Sequence, residues 1–233
     1  MSSGSGKVGH MTAAPLWSIL VPTLGERRPL FERLMAGLLP QLGPHGGAVQ
    51  VIGWFSNGSP PLPKIRQRLV ETAGTEYVSF VDDDDLVSPD YVAEIVAALA
   101  GRPDYVGFQV QCYSDGAPIG VAYHSLEYRR WRNLPGRYER DISHLNPMRT
   151  THALRADFSL ARAGRAEDRV WVDQLRRARV LKTQVVVPRI LYHYLYSTNR
   201  TAGLGSRWQQ PRRITRGERA NVTSPYFTWS PHA

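Results

Sequence analysis

Four consecutive aspartates, Asp82-Asp83-Asp84-Asp85, stand directly after the apolar run Tyr77-Val78-Ser79-Phe80-Val81. A short apolar run rich in β-branched and aromatic residues reads as a buried strand. Carboxylates packed this closely repel one another, and folding alone does not require them. A divalent cation relieves the repulsion, because hard ions such as Mg²⁺ and Mn²⁺ prefer oxygen ligands. In an open α/β sheet, ligands bind just beyond the carboxyl ends of strands. A strand that ends in acids therefore points to a metal-dependent site, often one where the metal holds a phosphate. A solvated acidic turn, or a helix N-terminus capped by Asp85 or Ser88, explains the same residues more simply.

The surrounding chain supplies the sheet such a site needs. Trp17 to Val21 reads as a buried strand ended by Pro22. Pro29 to Leu39 reads as a helix with Leu30, Leu34 and Leu38 on one face. Val49 to Phe55 is a second strand, followed by the loop Asn57-Gly58-Ser59-Pro60-Pro61. Pro63 to Thr72 reads as a helix with Ile65, Leu69 and Val70 inward. Tyr77 to Val81 is the third strand. Ser88 and Pro89 open a helix to Ala100, and Tyr105 to Tyr113 is the fourth strand. Strand and helix thus alternate four times, the pattern of a right-handed parallel sheet wrapped by helices. After Ser114 the pattern changes. Ile119 to Glu127 fits an antiparallel strand, and Tyr128 to Arg149 is loop-like and aromatic. Ala166 to Arg179 reads as a helix, and Val185–Val187 and Ile190–Tyr194 as short strands.

The 233 residues, 42% of them hydrophobic, suffice for one large domain with a real core. No apolar stretch approaches the roughly 18 residues of a membrane span. Residues 1–11, rich in Ser and Gly, read as an expression scar without structure. The one cysteine, Cys112, excludes an internal disulfide framework and suggests a reducing, cytoplasmic setting. Net charge is +9, from 29 basic and 20 acidic residues. Arginine predominates, which suits bidentate phosphate contact and a polyanionic partner. The tail, 197–233, carries Arg200, Arg207, Arg212, Arg213, Arg216 and Arg219 among Trp208, Tyr226, Phe227 and Trp229. Arginine mixed with aromatics can track a nucleic-acid backbone and stack on bases; an arm packed across its own domain uses the same residues.

Five pieces in order resemble the family 2 glycosyltransferases, which have a GT-A fold. They are Ser18-Ile19-Leu20-Val21-Pro22-Thr23, Ser56-Asn57-Gly58-Ser59, Phe80-Val81-Asp82-Asp83-Asp84-Asp85, Glu167-Asp168-Arg169-Val170-Trp171, and His193 in a later strand. The resemblance covers about Trp17 to Tyr196. It implies an α/β fold: a mostly parallel central sheet flanked by helices, with a small antiparallel part. Within a domain over 12–196, residues 16–113 form the donor-binding half and residues 114–196 the acceptor side.

The resemblance also implies roles. Asp82 and Asp84 match the fold's DxD element. They reach the donor ribose and ligate a divalent metal, Mn²⁺ or Mg²⁺, with Asp83 and Asp85 open as the alternative register. His193 would complete the metal shell. Pro22, Thr23 and Asn57 line the nucleoside pocket, where many relatives carry Asp in place of Asn57. Glu26, Arg27 and Arg28, with Lys64 and Arg66 on the next helix, lie where a nucleotide is reached; a solvated helix face accounts equally for Lys64 and Arg66. Asp168 is the implied general base, with Glu167 orienting it or binding the acceptor. Helix-start acids stabilised by the dipole are the plainer account. His144, Asn146, Arg149 and Trp171 are candidate acceptor contacts.

The implied reaction is inverting transfer of a sugar from a nucleoside-diphosphate sugar, UDP-linked by preference, to an acceptor hydroxyl. The charge and tail favour DNA carrying a hydroxylated base, as in short soluble enzymes of bacteria and bacteriophages; protein, polysaccharide and lipid-linked acceptors stay open. Two other classes compete: a non-catalytic nucleic-acid-binding protein, and a nucleotidyltransferase. GxxxxGK[ST] does not occur to support the latter, and the one GxGxxG, Gly4 to Gly9, lies in the Ser- and Gly-rich start and follows no strand.

Overall fold

The computed structural model describes residues 14–161, 167–197 and 226–229. Residues 1–11 and most of the tail lie outside them. Strands β1 (Trp17–Leu24), β2 (Val49–Ser56) and β3 (Tyr77–Phe80) form a parallel core in the order β2-β1-β3. Each is almost wholly buried, as continuous apolar runs in a two-sided sheet require. Alternate residues of β1 serve opposite faces. Trp17, Ile19 and Val21 pack on helix α1 (Arg28–Leu38) and helix α3 (Tyr91–Leu99). Leu20 packs on the other side with Ile65 and Leu69 of helix α2 (Leu62–Thr72) and with Trp171 and Leu175 of helix α5 (Glu167–Ala178).

The fourth strand, β5 (Tyr105–Ser114), does not lie next to β3. A short strand, β9 (Met148–Arg149), runs between them, antiparallel to both. The expected uninterrupted parallel alternation is therefore corrected. The segment read as a loop up to Arg149 supplies this strand, and Phe80 N–H donates to the His144 carbonyl just ahead of it. Beyond β5 the antiparallel strand appears as β6 (Ala117–His124), followed by the pair β7 (Arg132–Leu134) and β8 (Arg137–Arg140). These two strands lack apolar alternation. Cation–π contacts support them instead, with Arg137 over Tyr123 and Arg140 over Trp131.

The two short strands expected near the end of the domain are one, β10 (Gln184–Tyr196), parallel to β5, with register shifts around Pro188 and Ile190. Proline has no N–H for the ladder, so the pairing breaks there without ending the strand. A two-residue strand, β4 (Leu86–Val87), pairs with β10. From the tail, β11 (Tyr226–Trp229) adds antiparallel to β2. Ser88 does not cap α3. That helix begins at Tyr91, and Val92 N–H is capped by the Gln41 side chain at 3.0 Å. The Ser88 hydroxyl instead donates to the Ile190 carbonyl at 2.8 Å, tying the post-acid turn to β10.

Among the described residues no helix is long and apolar enough to cross a membrane. A Cβ at Gly107, inside β5, would lie 2.2 Å from the His124 carbonyl oxygen. Gly107→Ala is expected to separate β5 from β6 and to lower stability by about 1–3 kcal/mol in urea unfolding; an unchanged midpoint would show that the two strands can part freely.

Candidate active site

The acids leave β3 at its carboxyl end and turn back at once, with Asp85 N–H donating to the Asp82 carbonyl at 3.1 Å. Each carboxylate meets a different partner. Asp82 accepts from Arg66 Nη2 of α2 at 2.8 Å. Asp83 accepts from the Thr23 hydroxyl at 2.5 Å and pairs with Arg27 Nη2 at 2.7 Å. Asp84 pairs with the same Arg27 nitrogen at 2.6 Å, while its carbonyl accepts from Arg33. Asp85, fully buried, accepts from the Tyr192 hydroxyl and from Leu195 N–H. Tyr192 in turn accepts from Asp82 N–H.

Arg66 makes a second contact. Its Nε lies 3.4 Å from Glu167 Oε1, at the start of α5. The guanidinium therefore joins the acid cluster to the helix that carries Asp168. Arg66 Nη1 and Arg27 Nε are buried without a hydrogen-bond acceptor. Buried N–H donors normally find partners, so these two are provision for an acceptor the protein alone does not supply. His144 also reaches the cluster. Its Nε2 is 3.7 Å from Asp82 Oδ2, beyond hydrogen-bond reach, and both ring nitrogens are buried without partners.

The cluster is not four equal charges. Burial works to raise Asp82, but Arg66 and His144 outweigh it and hold the carboxyl below the usual range. Burial pushes Asp83 up to about 7 against the pull of Arg27 and Thr23. Burial also raises Asp84. Asp85 rises well above its ordinary value, first from burial and then from the neighbouring Asp84 and Asp82.

Other sequence candidates are distributed unevenly. Thr23 is in the site and Pro22 is buried one residue before it on β1. Of Glu26, Arg27 and Arg28, only Arg27 turns inward; Arg28 is exposed and pairs with Glu32. Lys64 is exposed, while Arg66, two residues on, faces in. Asn57 is exposed, and its side chain accepts from Ser59 N–H in a local turn. Asp168 is half-buried beside Glu167 and accepts from Arg169 N–H. Asn146 is fully buried, held by His124 and the Val106 carbonyl. Trp171 is a core residue stacked on Phe158. Arg149 pairs with Tyr77, at the start of β3, and binds Glu76; the acids leave the other end of that strand. The last three residues are thus held by structural partners.

Two contributors escaped the sequence reading. Tyr192 is signalled only by strand alternation, which turns it inward where His193 turns away. Arg33 needs the fold, because it comes from the next turn of α1.

His193 does not join the aspartates: it pairs with Leu86, and its Nε2 lies 3.1 Å from the Ser88 hydroxyl oxygen. Among the described residues, no three His, Cys, Asp or Glu side chains converge on a metal position. What fits an ion is a smaller donor set. Mg²⁺ is commonly held by one or two carboxylates, with water and substrate phosphates filling the rest. Asp84, the most exposed of the four at 37%, and Asp82, at 25%, fit that pattern.

Residues 64–158 match the profile of Glycosyl transferase family 2. The match starts in α2, takes in the acid cluster and stops before α5. Among solved structures, the fold is similar to Staphylococcus TarS (S. aureus) residues 1–349 in complex with UDP-GlcNAc, at TM-score 0.53 and 15% identity over 77% of this chain and 58% of that one. It is likewise similar to the same protein in complex with UDP, at TM-score 0.51 and 15% identity over 78% and 61%. The chain thus spans less than two thirds of the structures it resembles. No curated protein matches it in sequence. The acid cluster thus lies in a segment similar to glycosyl transferase family 2, within a fold like that of TarS.

The raised Asp83 has a consequence for stability. Its carboxyl, ordinarily at 3.8, holds its proton to about pH 7 in the folded state. Folding therefore favours protonation, so the contribution is complete below about pH 4 and is lost as pH rises to about 7. Asp83→Asn is expected to flatten that decline in denaturant-unfolding free energy between pH 4 and 7; equal slopes in the two proteins would contradict the assignment.

Proposed function

We propose that the chain transfers a sugar from a nucleoside-diphosphate sugar to an acceptor hydroxyl, with inversion at the anomeric carbon and with a divalent metal bound. The observation that supports this most is Arg66, which contacts Asp82 and Glu167 together. One buried guanidinium so links the acids suited to the donor with the helix start suited to the acceptor.

The family match and the fold favour a nucleotide-sugar donor. TarS binds UDP-GlcNAc and UDP in its solved complexes, which makes a UDP-sugar the donor of choice here. Thr23 and Asn57 would border the nucleoside, and Asp82 and Asp84 would hold the ion. The ion, when bound, neutralises charge on the departing diphosphate. Arg27 and Arg66, each with a buried N–H that has no acceptor in the protein, would supply donors for the same oxygens. Asp168 accepts the proton of the acceptor hydroxyl, with Glu167 held by Arg66 at its side. The hydroxyl oxygen forms its bond to the anomeric carbon as the bond to phosphate breaks. A base on the face opposite the leaving group gives inversion.

For the acceptor, the net charge of +9 favours a polyanion. DNA carrying a hydroxylated base is one such acceptor; transfer to it would fall steeply with salt as counterion release weakens binding.

A thermal-shift screen of UDP-, GDP-, ADP- and TDP-sugars with and without Mn²⁺ tests the reading. One donor with Mn²⁺ should stabilise the fold jointly, by about 2.7 kcal/mol at a hundredfold excess over Kd. Asp84→Asn should abolish the metal-dependent part. Asp168→Asn should keep the shift but lower turnover by about 10²–10⁴. A flat response to every donor would overturn the proposal.

A further inference from the structure

Two arginines meet the acids, and they are held differently. Arg66 Nη2 donates a directed hydrogen bond to Asp82 Oδ1 at 2.8 Å. Arg27 Nη2 lies 2.7 Å from Asp83 Oδ1 and 2.6 Å from Asp84 Oδ2, yet neither contact has hydrogen-bond geometry. Arg27 Nε has no acceptor either. A guanidinium is held most firmly as a fork on one carboxylate. Arg27 instead wedges one nitrogen between two, held by charge with its N–H bonds aimed at neither.

The two partners of Arg27 also differ. Asp83 is 2% exposed and has a second donor, the Thr23 hydroxyl. Asp84 is 37% exposed, and no other side chain of the described residues pairs with its carboxylate. Asp84 is also the acid best placed to take a metal, so one carboxylate has to serve two cations. A divalent ion there would stand close to the guanidinium, where a mostly buried setting screens their repulsion poorly. The two cations compete unless Arg27 has another anion to move to. A nucleoside diphosphate brings one, because phosphate oxygens suit the guanidinium fork.

We propose that Arg27 is a placeholder for the metal. It holds Asp84 until a nucleoside-diphosphate donor takes the guanidinium over, which frees Asp84 to ligate the ion. Arg66, fixed by its hydrogen bond to Asp82 and by Glu167, stays in place. Donor and metal then bind as a coupled pair, each raising the affinity for the other. The donor's part in this exchange rests on the transferase reading; the competition between Arg27 and a divalent ion at Asp84 does not.

Calorimetric titration of the full chain with Mn²⁺, without nucleotide, reads the competition. Arg27→Gln is expected to bind Mn²⁺ about tenfold or more tightly than the wild type, because Asp84 is no longer occupied. Arg33→Gln removes an equal charge from the Asp84 carbonyl, not from its carboxylate, and is expected to leave the affinity nearly as it was. No gain in Arg27→Gln, an equal gain in Arg33→Gln, or no Mn²⁺ binding to either Arg27→Gln or the wild type would overturn the proposal. A second readout serves if Arg27→Gln fails to fold. In wild type labelled with ¹⁵N-arginine, the Arg27 Nε–H resonance, identified by its loss in Arg27→Lys, should move when UDP and Mg²⁺ are added together and stay with Mg²⁺ alone. Movement with Mg²⁺ alone, or none with both, would equally overturn it. Joint stabilisation by a donor and Mn²⁺ without tightening in Arg27→Gln would sink the placeholder and leave the transferase reading. A flat donor screen beside a tightened Arg27→Gln would sink the transferase reading and leave the competition for Asp84.

Discussion

The pairing of two buried arginines with three of four consecutive carboxylates is the constraint on which this site depends. Arg27 and Arg66 are 3% and 4% exposed. Each would be costly to bury alone, and so would the acids. Together they offset one another only because Arg27 meets two carboxylates with one nitrogen and Arg66 bridges two chain segments. Removing one member of such a pair leaves an uncompensated buried charge, typically at about 3–5 kcal/mol. The cluster is thus held together by cations from the first β-α connection and from α2. A divalent ion would join a site already partly neutralised. That explains how a run of four acids folds with carboxylates that do not converge on a three-ligand pocket.

The topology makes this arrangement unavoidable. β1 and β3 are parallel neighbours, so their carboxyl ends open on the same edge. Thr23 and Arg27 leave one of these ends, and the acids leave the other. The intruding β9 pushes β5 one position away and carries the 141–147 segment down beside β3. His144 is delivered to Asp82 by that detour. Tyr192 comes from β10, whose pairing with the two-residue β4 pulls the turn after the acids back over Asp85. The detours through β9 and β10 therefore each bring a group to the site, His144 and Tyr192.

Much of this was readable from residue order, and the limits were physical. The apolar runs of β1, β2 and β3 declare themselves because strands covered on both faces need no alternation. The acid run and the Glu167-Asp168 pair declare themselves by chemistry. β7, β8 and β9 do not: their stability comes from guanidinium–ring contacts and from slots between longer strands, neither of which leaves a period in the sequence. The same blindness affected single residues. Composition cannot tell Arg27 from Arg28, or Arg66 from Lys64; one member of each pair is core and the other solvent, and only the helix phase decides. Arg149, Asn146 and Trp171 looked like site residues because polar or aromatic groups in an aperiodic stretch suggest function, yet each satisfies a buried or edge partner.

The same contrast bears on how positive charge is used across the molecule. Where arginine is buried, at positions 27 and 66, carboxylates hold it and its spare N–H groups are few and aimed. Where arginine and lysine are exposed, at positions 129, 179 and 182, no carboxylate among the described residues pairs with their side chains and the surface between is concave. Surface ion pairs contribute little to stability, so leaving these three side chains unpaired costs the fold little. α5 connects the two regimes, with acids at its first turn beside Arg66 and cations in and past its last.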